Sequence, residues 1–336
     1  MLLNNRLAIP SVSLGQHATH TLPKKISAAA AAGIQGLEIT YPDLDDYARS
    51  LPIPITEAAV EIRRLCETHS LVIIAFASFQ NFEGQRSPLA QRLQLAQEWL
   101  TIASALGAEH LQVPSNYDRS ASGDRNLVTS EMQQLADLAS SFNPVIKIAY
   151  ENLGWGTHCN LWEHALQVVE DVDRPNFGLC LDSFHFCVAL WADPFTSSGV
   201  QPDGGRNLAA SLKALVKRLP LTKLFYVQLS DGERLDPPYS QTHPWYDPAL
   251  EPGHAWSNEA RPFPLETGYG AYMPVEEVAR AMLVDLEFKG WVSLETFDRR
   301  MKSEPQGPSV SAKRAVRSWG ILQQQLSLAQ APLSRL

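Results

Sequence analysis

The segment Arg174-Pro-Asn-Phe-Gly-Leu-Cys-Leu-Asp-Ser-Phe-His185 guides the interpretation of the whole chain. It begins with a turn signal and continues with a short apolar run, residues 177–181, whose length and composition are typical of a fully buried strand. The run ends at Asp182, and His185 follows three residues later. Because parallel α/β folds carry their chemistry at the C-terminal ends of buried strands, this segment predicts a functional site at that end.

Strand and helix signals alternate along the chain, with β-prone runs between apolar stripes at helical spacing. The predicted strands cover residues 7–14, 36–40, 71–79, 110–113, 146–150, 177–181, 224–229 and 291–296. The predicted helices cover residues 24–32, 56–69, 88–106, 126–141, 162–172, 207–219, 275–286 and 309–328. This order predicts an α/β fold of the (β/α)8 TIM-barrel type. A doubly wound open sheet is the alternative, although no Gly-x-Gly-x-x-Gly motif follows the first strand.

Residues 1–336 contain nothing that resembles a linker between domains, so we expect a single barrel domain. A barrel needs roughly 250 residues, which leaves room for long loops. Residues 230–273 are rich in Pro, His, Trp and Tyr and lack helical periodicity. A connection of about forty residues after strand seven is too long to be passive. We therefore expect it to cover the mouth of an active site.

Composition excludes several classes of protein. The net charge of −8 argues against a nucleic-acid partner. No apolar run approaches the roughly 20 residues that span a bilayer, and the N-terminal residues lack the apolar core of a signal peptide. None of the four cysteines forms a Cys-x-x-Cys pair, which argues against a structural zinc site. These features predict a reduced, cytoplasmic protein without a membrane partner and leave the oligomeric state open.

Four oxygen-bearing side chains stand at the ends of the predicted strands five to eight: Glu151, Asp182, Gln228 and Glu295. In a barrel these strand ends are neighbours on one rim. Carboxylates that meet without a counter-charge raise one another's pKa, and a divalent cation would remove that repulsion. An all-oxygen set favours Mg²⁺, Mn²⁺ or another borderline ion such as Co²⁺. The alternative is that each acid is only a strand-end cap or a surface charge.

Two histidines follow these strand ends. His185 is a candidate general base, because imidazole titrates near neutral pH. The alternative for His185 is a partly buried polar residue between loop and helix. His158, in Asn-Leu-Gly-Trp-Gly-Thr-His, belongs to the same rim by position and is a weaker candidate for contact with a substrate.

The predicted loop after strand seven contains Trp256-Ser-Asn-Glu-Ala-Arg-Pro-Phe-Pro264. An arginine flanked by aromatic residues, Arg261, suits recognition of a small carboxylate through paired hydrogen bonds. The alternative is a loop held down by its own aromatic residues, with Arg261 solvated. Neither a Walker-type phosphate loop nor a Gly-x-Ser-x-Gly nucleophile motif occurs.

Four stretches resemble one known family, the 3-dehydroshikimate dehydratases of quinate and shikimate catabolism, within the xylose-isomerase-like barrel superfamily. They are Tyr150-Glu151 with Trp155, Val172-Asp-Arg-Pro-Asn-Phe-Gly-Leu-Cys-Leu-Asp-Ser-Phe184, Trp256-Ser-Asn-Glu-Ala-Arg-Pro-Phe-Pro264 and Gly290-Trp-Val-Ser-Leu-Glu-Thr-Phe297. The second and third are long and specific. The resemblance spans roughly residues 34–299 and is weakest in the N-terminal strands.

The resemblance implies a site and an activity. It implies a divalent metal at Glu151, Asp182, Gln228 and Glu295, with substrate contacts from Ser257 and Arg261. The expected reaction is the dehydration of 3-dehydroshikimate to protocatechuate without an organic cofactor.

Three rivals remain open: a metal-dependent sugar isomerase or epimerase, an endonuclease-type repair enzyme and a non-catalytic sugar-acid binding protein. Sugar isomerases and epimerases usually place histidine where Gln228 stands. The repair enzyme needs several histidine ligands and a basic face, which an acidic chain does not offer.

Overall fold

The short β-prone runs of the sequence form the inner ring of the molecule, in a computed structural model that describes residues 3–328. The strands are β1 (Arg6–Pro10), β2 (Gly36–Thr40), β3 (Val72–Ala77), β4 (His110–Pro114), β5 (Lys147–Glu151), β6 (Phe177–Asp182), β7 (Leu224–Gln228) and β8 (Trp291–Ser293). Each strand pairs in parallel with the next, and β8 pairs with both β7 and β1, which closes the barrel. The predicted (β/α)8 barrel is confirmed, and the open-sheet alternative is wrong.

The amphipathic stretches form the outer ring. The helices are α1 (Leu22–Ala31), α2 (Tyr41–Ser50), α3 (Ile55–Thr68), α4 (Leu89–Leu106), α5 (Arg125–Ser140), α6 (Trp162–Val172), α7 (Ser183–Leu190), α8 (Gly204–Arg218), α9 (Pro252–Ser257), α10 (Val275–Arg280) and α11 (Pro308–Leu328). Their apolar faces pack on the outside of the barrel, as α6 does with Trp162, Leu166 and Val169. Gly107 ends α4 in the left-handed region, at φ 68°, where a side chain would be strained.

Small and aromatic side chains fill the lower barrel interior. Ala8, Ala75, Ala149, Cys180 and Tyr226 belong to one fully buried cluster there. Cys180 is a core residue with a reduced thiol, as its place in an apolar strand predicts. Because side chains alternate across a strand, the residues two positions further on point to the same side. That alternation carries Glu151, Asp182 and Gln228 to the upper end of the interior.

Several elements differ from the sequence prediction. Residues 11–14, predicted as strand, form a 3-10 helix directly after β1. The helix predicted over residues 275–286 is α10 followed by a π-helical turn, Ala281–Asp285. The short helices α2 and α7 were not predicted. In α7, five of eight residues are fully buried, so the segment has no polar face and shows no helical periodicity.

The segment between β7 and α10 has structure of its own. It contains α9, a two-residue strand Ala260–Arg261 and a 3-10 helix Thr267–Tyr269. The two-residue strand pairs antiparallel with Phe297–Asp298, which lies just beyond β8. This pairing fixes the chain around Arg261 above the C-terminal ends of the barrel strands. Among residues 3–328, the structure has no helix with the length and apolar character needed to cross a bilayer.

Candidate active site

Acidic and amide side chains meet at the C-terminal end of the barrel. Glu151 ends β5, Asp182 ends β6 and Gln228 ends β7, and these three residues are 3, 1 and 0% exposed. His185 stands in the first turn of α7. The ligand atoms offered by Glu151, Asp182 and His185 all lie within 4.8 Å of one another.

Hydrogen bonds connect the remaining predicted ligands to this group. Nε2 of Gln112, in the middle of β4, donates to Glu151 Oε2 at 2.9 Å and to Gln228 Oε1 at 3.3 Å. Nε2 of Gln228 in turn donates to Glu295 Oε1 at 3.3 Å. The structure therefore connects Gln228 and Glu295 to Glu151 through hydrogen bonds and adds Gln112, while Glu295 stands outside the group of ligand atoms that lie within 4.8 Å of one another.

Glu38, in β2, is a further buried acid of this site, and sequence reasoning missed it. It is 0% exposed and accepts hydrogen bonds from Tyr226, Gln228 and the hydroxyl of Ser293. Burial raises the pKa of Glu38, and these three donors oppose that rise. The signal was present as an acid inside the strand Gly-Leu-Glu-Ile-Thr, where apolar neighbours on both sides indicate full burial.

The guanidinium of Arg261 lies among the carboxylates rather than in solvent. It is 1% exposed, is bonded to Asp182 and lies 3.1 Å from Glu295 Oε2. Ser257 and Ser230 accept further hydrogen bonds from it, at 3.2 and 2.8 Å. The alternative of a solvated Arg261 is wrong, since the strand pairing at Ala260–Arg261 directs this side chain inward.

The acids outnumber the cations that contact them. Glu38, Glu151, Asp182 and Glu295 meet here, and within residues 3–328 Arg261 is the guanidinium that pairs with two of them, Asp182 and Glu295. Burial raises the pKa of Glu151 and Glu295 well above the ordinary value, with Arg261 opposing the rise in both. Burial also opposes the charge of Arg261, but Asp182, Glu295 and Glu151 together raise its pKa. The site therefore favours an additional positive charge.

A divalent cation fits this arrangement. Glu151 Oε1 is buried and has no hydrogen-bond partner in the described part of the chain, although Nε2 of His185 lies 3.3 Å away. Such an orphaned carboxylate oxygen costs free energy unless a cation or donor meets it. The neighbouring donors are oxygens of Asp182, Glu295 and Gln228, the ligand type that hard and borderline divalent ions take.

His185 is held as a neutral ring. Burial lowers its pKa to about 3, so the contact with Glu151 is not an ion pair at neutral pH. The backbone N–H of Gly154 donates to Nδ1 at 3.1 Å, which leaves the ring proton on Nε2. Nε2 lies 3.3 Å from Glu151 Oε1 and 3.9 Å from Asp182 Oδ2. Burial therefore keeps this imidazole in the neutral form that a general base requires, and the role of His185 as the base stays a prediction.

His158 does not reach this group, contrary to the sequence expectation. It lines a separate cavity of about 190 Å³ on the outer side of β5, with Tyr150 and Glu83. Its Nε2 is bonded to the carbonyl oxygen of Ala121 at 2.9 Å. The chain turns at Gly156, and Thr157 is tied to Asn116, so the segment after the turn points away from the barrel axis.

A pocket of about 250 Å³ opens above the acids. Its walls are aromatic: Trp155 stacks on His254 with ring centroids 5.0 Å apart, and the edge of Tyr117 meets His254 at 5.1 Å. Ser257 and Arg261 line the same pocket. The pocket therefore combines aromatic side chains with polar groups below them, the lining typical of a site for a small ligand.

Comparisons with known proteins agree with this architecture. The model of the family described as "Xylose isomerase-like TIM barrel" matches residues 26–319. A solved structure titled "xylose isomerase-like TIM barrel/4-hydroxyphenylpyruvate dioxygenase fusion protein" superposes with a TM-score of 0.74 at 27% identity, over 97% of this chain and 44% of that chain.

Two curated relatives show which family of xylose isomerase-like barrels the chain resembles most specifically. A protein of Neurospora crassa named 3-dehydroshikimate dehydratase is 38% identical over 98% of this chain and 97% of its own length. A protein of Pseudomonas aeruginosa with the same name is 32% identical over 89% of this chain, which spans 39% of that protein. The chain therefore belongs to the 3-dehydroshikimate dehydratase family of xylose isomerase-like TIM barrels.

Proposed function

We propose that this chain removes water from 3-dehydroshikimate and releases protocatechuate. The observation that carries the proposal is the 38% identity to the Neurospora crassa enzyme, because it extends over nearly the whole of both chains. The acid group at the bottom of the pocket supports it, because these acids would hold the cation that stabilises the negative charge which the reaction develops on the carbonyl oxygen of the substrate. The amide of Gln228, rather than an imidazole, does not favour the sugar isomerase alternative.

The proposal includes a divalent cation, Mg²⁺, Mn²⁺ or Co²⁺, with Glu151, Asp182, Gln228 and Glu295 as its ligands. When bound, the cation would supply Lewis-acid stabilisation of negative charge on the carbonyl oxygen of the substrate. The orphaned oxygen of Glu151 and the excess of acids over Arg261 support this assignment.

The chain's own part in the reaction is to move protons. The substrate carries an acidic C–H bond beside its carbonyl group and a hydroxyl one carbon further. His185 is proposed to accept the proton of that C–H bond, and the protonated ring then returns it to the departing hydroxyl, which leaves as water. Nε2 accepts a proton only in the tautomer that carries the ring proton on Nδ1, so His185 must first exchange tautomers and give up the hydrogen bond from the backbone N–H of Gly154.

Arg261 and Ser257 are proposed to contact the carboxylate of the substrate. Both line the pocket, and both are already joined by a hydrogen bond of 3.2 Å. Asp182 and Ser230 hold Nη2 and Nε of the guanidinium, which leaves Nη1, already bonded to Ser257, as the group that the substrate carboxylate would contact. Burial of this pair strengthens such a contact, because the surrounding dielectric is low.

The experiment follows the ultraviolet absorbance of protocatechuate. Purified protein is stripped with a chelator, checked for metal by elemental analysis, and mixed with 3-dehydroshikimate before and after addition of Mg²⁺, Mn²⁺ or Co²⁺. We expect no product before addition and steady formation with at least one ion. Asp182→Asn is the matched variant that should remain inactive. Absence of product with every ion would contradict the proposed reaction, and full activity without metal would contradict the proposed cation.

A further inference from the structure

The carboxylate of Glu38 accepts hydrogen bonds from the amide of Gln228 across the barrel interior. Its two oxygens lie 3.0 and 3.1 Å from Nε2 of Gln228. Tyr226 and Ser293 donate their hydroxyl protons to the same carboxylate. Glu38 is therefore surrounded by donors, which is the environment that an ionised carboxylate requires.

The hydrogen bonds to Glu38 determine the orientation of the Gln228 side-chain amide. A carboxylate accepts hydrogen bonds and cannot donate them, whereas an amide has one accepting and one donating end. The NH₂ group must therefore face Glu38. The carbonyl oxygen faces the other way, 3.3 Å from Nε2 of Gln112, which also holds Glu151. An amide binds a cation through its oxygen, so only this orientation makes Gln228 a ligand.

We propose that Glu38 is a positioning residue that holds the carbonyl oxygen of Gln228 toward the cation. The inference rests on the ligand role proposed above for Gln228. Glu38 acts through the amide and does not touch the cation. With a neutral amide at position 38, the NH₂ group of Gln228 loses the Glu38 carboxylate and keeps only Glu295 Oε1, at 3.3 Å, as a carboxylate acceptor, so the orientation of the amide is held less firmly. Partners that orient a metal ligand typically change metal affinity 10–100-fold when they are replaced.

A double-mutant cycle on the metal-stripped full chain tests the inference, with Mn²⁺ affinity from calorimetry as the readout. Glu38→Gln should weaken Mn²⁺ binding 10–100-fold in the native sequence. The same substitution should change affinity by no more than about twofold in a Gln228→Ala background, since the amide through which it acts is gone. Equal losses in both backgrounds would overturn the inference, because Glu38 would then act through its charge alone.

Tyr226→Phe is the matched control. It removes one hydrogen bond from Glu38 and leaves the carboxylate facing the amide, so Mn²⁺ affinity should stay within about twofold of the native value. If Tyr226→Phe weakens Mn²⁺ binding as much as Glu38→Gln does, with a similar fall in melting temperature, the role of Glu38 is merely structural and the inference is wrong.

Two further readouts separate this inference from the proposed function. Visible absorption of the Co²⁺-saturated protein should be the same for Glu38→Gln and Gln228→Ala, because both lack the same ligand. A native spectrum for Glu38→Gln would overturn the positioning role.

The exchange variant, which combines Glu38→Gln with Gln228→Glu, should recover most of the lost Mn²⁺ affinity, since the hydrogen bond is restored with its direction reversed. If Gln228→Ala itself keeps native affinity, the ligand assignment fails as well. If Gln228→Ala loses affinity and Glu38→Gln does not, the positioning role alone fails.

Discussion

His185 shows how burial changes the chemistry of a single residue. Its ring is 1% exposed, and its pKa is lowered to about 3 because the charged form is poorly solvated. The ring is protonated only below about pH 3, so loss of activity through ring protonation should begin near that pH. Between pH 5 and pH 8 the ring stays neutral, and its protonation should not affect the rate.

We predict that His185→Asn lowers kcat by roughly 10²–10⁴, the usual share of one acid–base group. Metal content should stay the same, because the predicted ligands are other residues. Steady-state rates with 3-dehydroshikimate and elemental analysis of the same preparation provide the test. A kcat close to the native value would exclude the ring as the base and leave Glu151 as the next residue to change.

Arg261 combines a binding role with a stabilising one, and the two can be separated. Arg261→Lys keeps the positive charge beside Asp182 and Glu295 but loses the planar fork that suits a carboxylate. We predict that KM for 3-dehydroshikimate rises about tenfold or more, corresponding to a charge-assisted hydrogen bond of about 1.5–3 kcal/mol. The melting temperature should change little. An unchanged KM in Arg261→Lys would show that Arg261 neutralises the charge of the neighbouring acids and does not bind the substrate.

Sequence reasoning succeeded where a residue's role follows from its place along the chain. Glu151, Asp182 and Gln228 end buried strands, and parallel strands in a barrel align those ends, so their meeting could be predicted. Glu38 and Gln112 were missed because a polar residue inside a strand has no ligand-like spacing. His158 was misplaced because its direction depends on the turn at Gly156, which no pattern in one sequence reveals.

At the scale of elements, Glu83 ties the loop between β3 and α4 to the barrel. Its Oε1 accepts from the backbone N–H of Asn116 at 2.7 Å and from the hydroxyl of Tyr150 at 2.9 Å. Oε2 is buried without a hydrogen-bond partner among the described residues. Burial raises the pKa of Glu83 from its ordinary 4.5 to about 7, with the hydrogen bonds opposing that rise. The folded protein therefore holds this proton more tightly than the unfolded chain does.

We predict that the free energy of unfolding falls as pH rises from about 4.5 to 7. In this window the unfolded chain has already released the proton that the folded protein retains, and a rise of this size corresponds to roughly 3 kcal/mol. Glu83→Gln cannot titrate, so this part of the pH dependence should disappear. Urea unfolding at pH 4.5, 6 and 8 measures it, with Glu67→Gln on the outer surface of α3 as the control. If Glu83→Gln shows the same pH dependence of the free energy of unfolding, a group other than Glu83 causes it.

A helix could be predicted from the sequence when one of its faces is buried and the other is exposed to solvent. Helix α6 was predicted with its observed bounds, because its buried and exposed residues alternate at helical spacing. Helix α7 was not, since burial on nearly all sides leaves no periodic signal. Helix α2 begins with Tyr-Pro-Asp directly at the end of β2, where the turn-like composition hides a helix start.

At the scale of the whole molecule, the closed barrel explains why buried acids can persist. Eight parallel strands hold their C-terminal ends in one ring, so the carboxylates of β2, β5 and β6 and that of Glu295, just beyond β8, are forced together. The closed barrel keeps these carboxylates close, so the repulsion is relieved by bound protons or by a cation rather than by separation of the strands. A cation that binds the folded ring and not the unfolded chain therefore stabilises the fold as well as the site.

We predict that a divalent cation raises the melting temperature of metal-stripped protein. At a free concentration of 100 times Kd, the gain in unfolding free energy is about 2.7 kcal/mol, which corresponds to several degrees for a chain of this length. Glu295→Gln removes one charged ligand and should reduce the shift at the same Mn²⁺ concentration, whereas Glu276→Gln on α10 should keep it in full. Differential scanning calorimetry with and without Mn²⁺ measures both variants. An equal shift in the two would mean that Mn²⁺ binds outside the ring of acids, and the proposed ligand role of Glu295 would then fail.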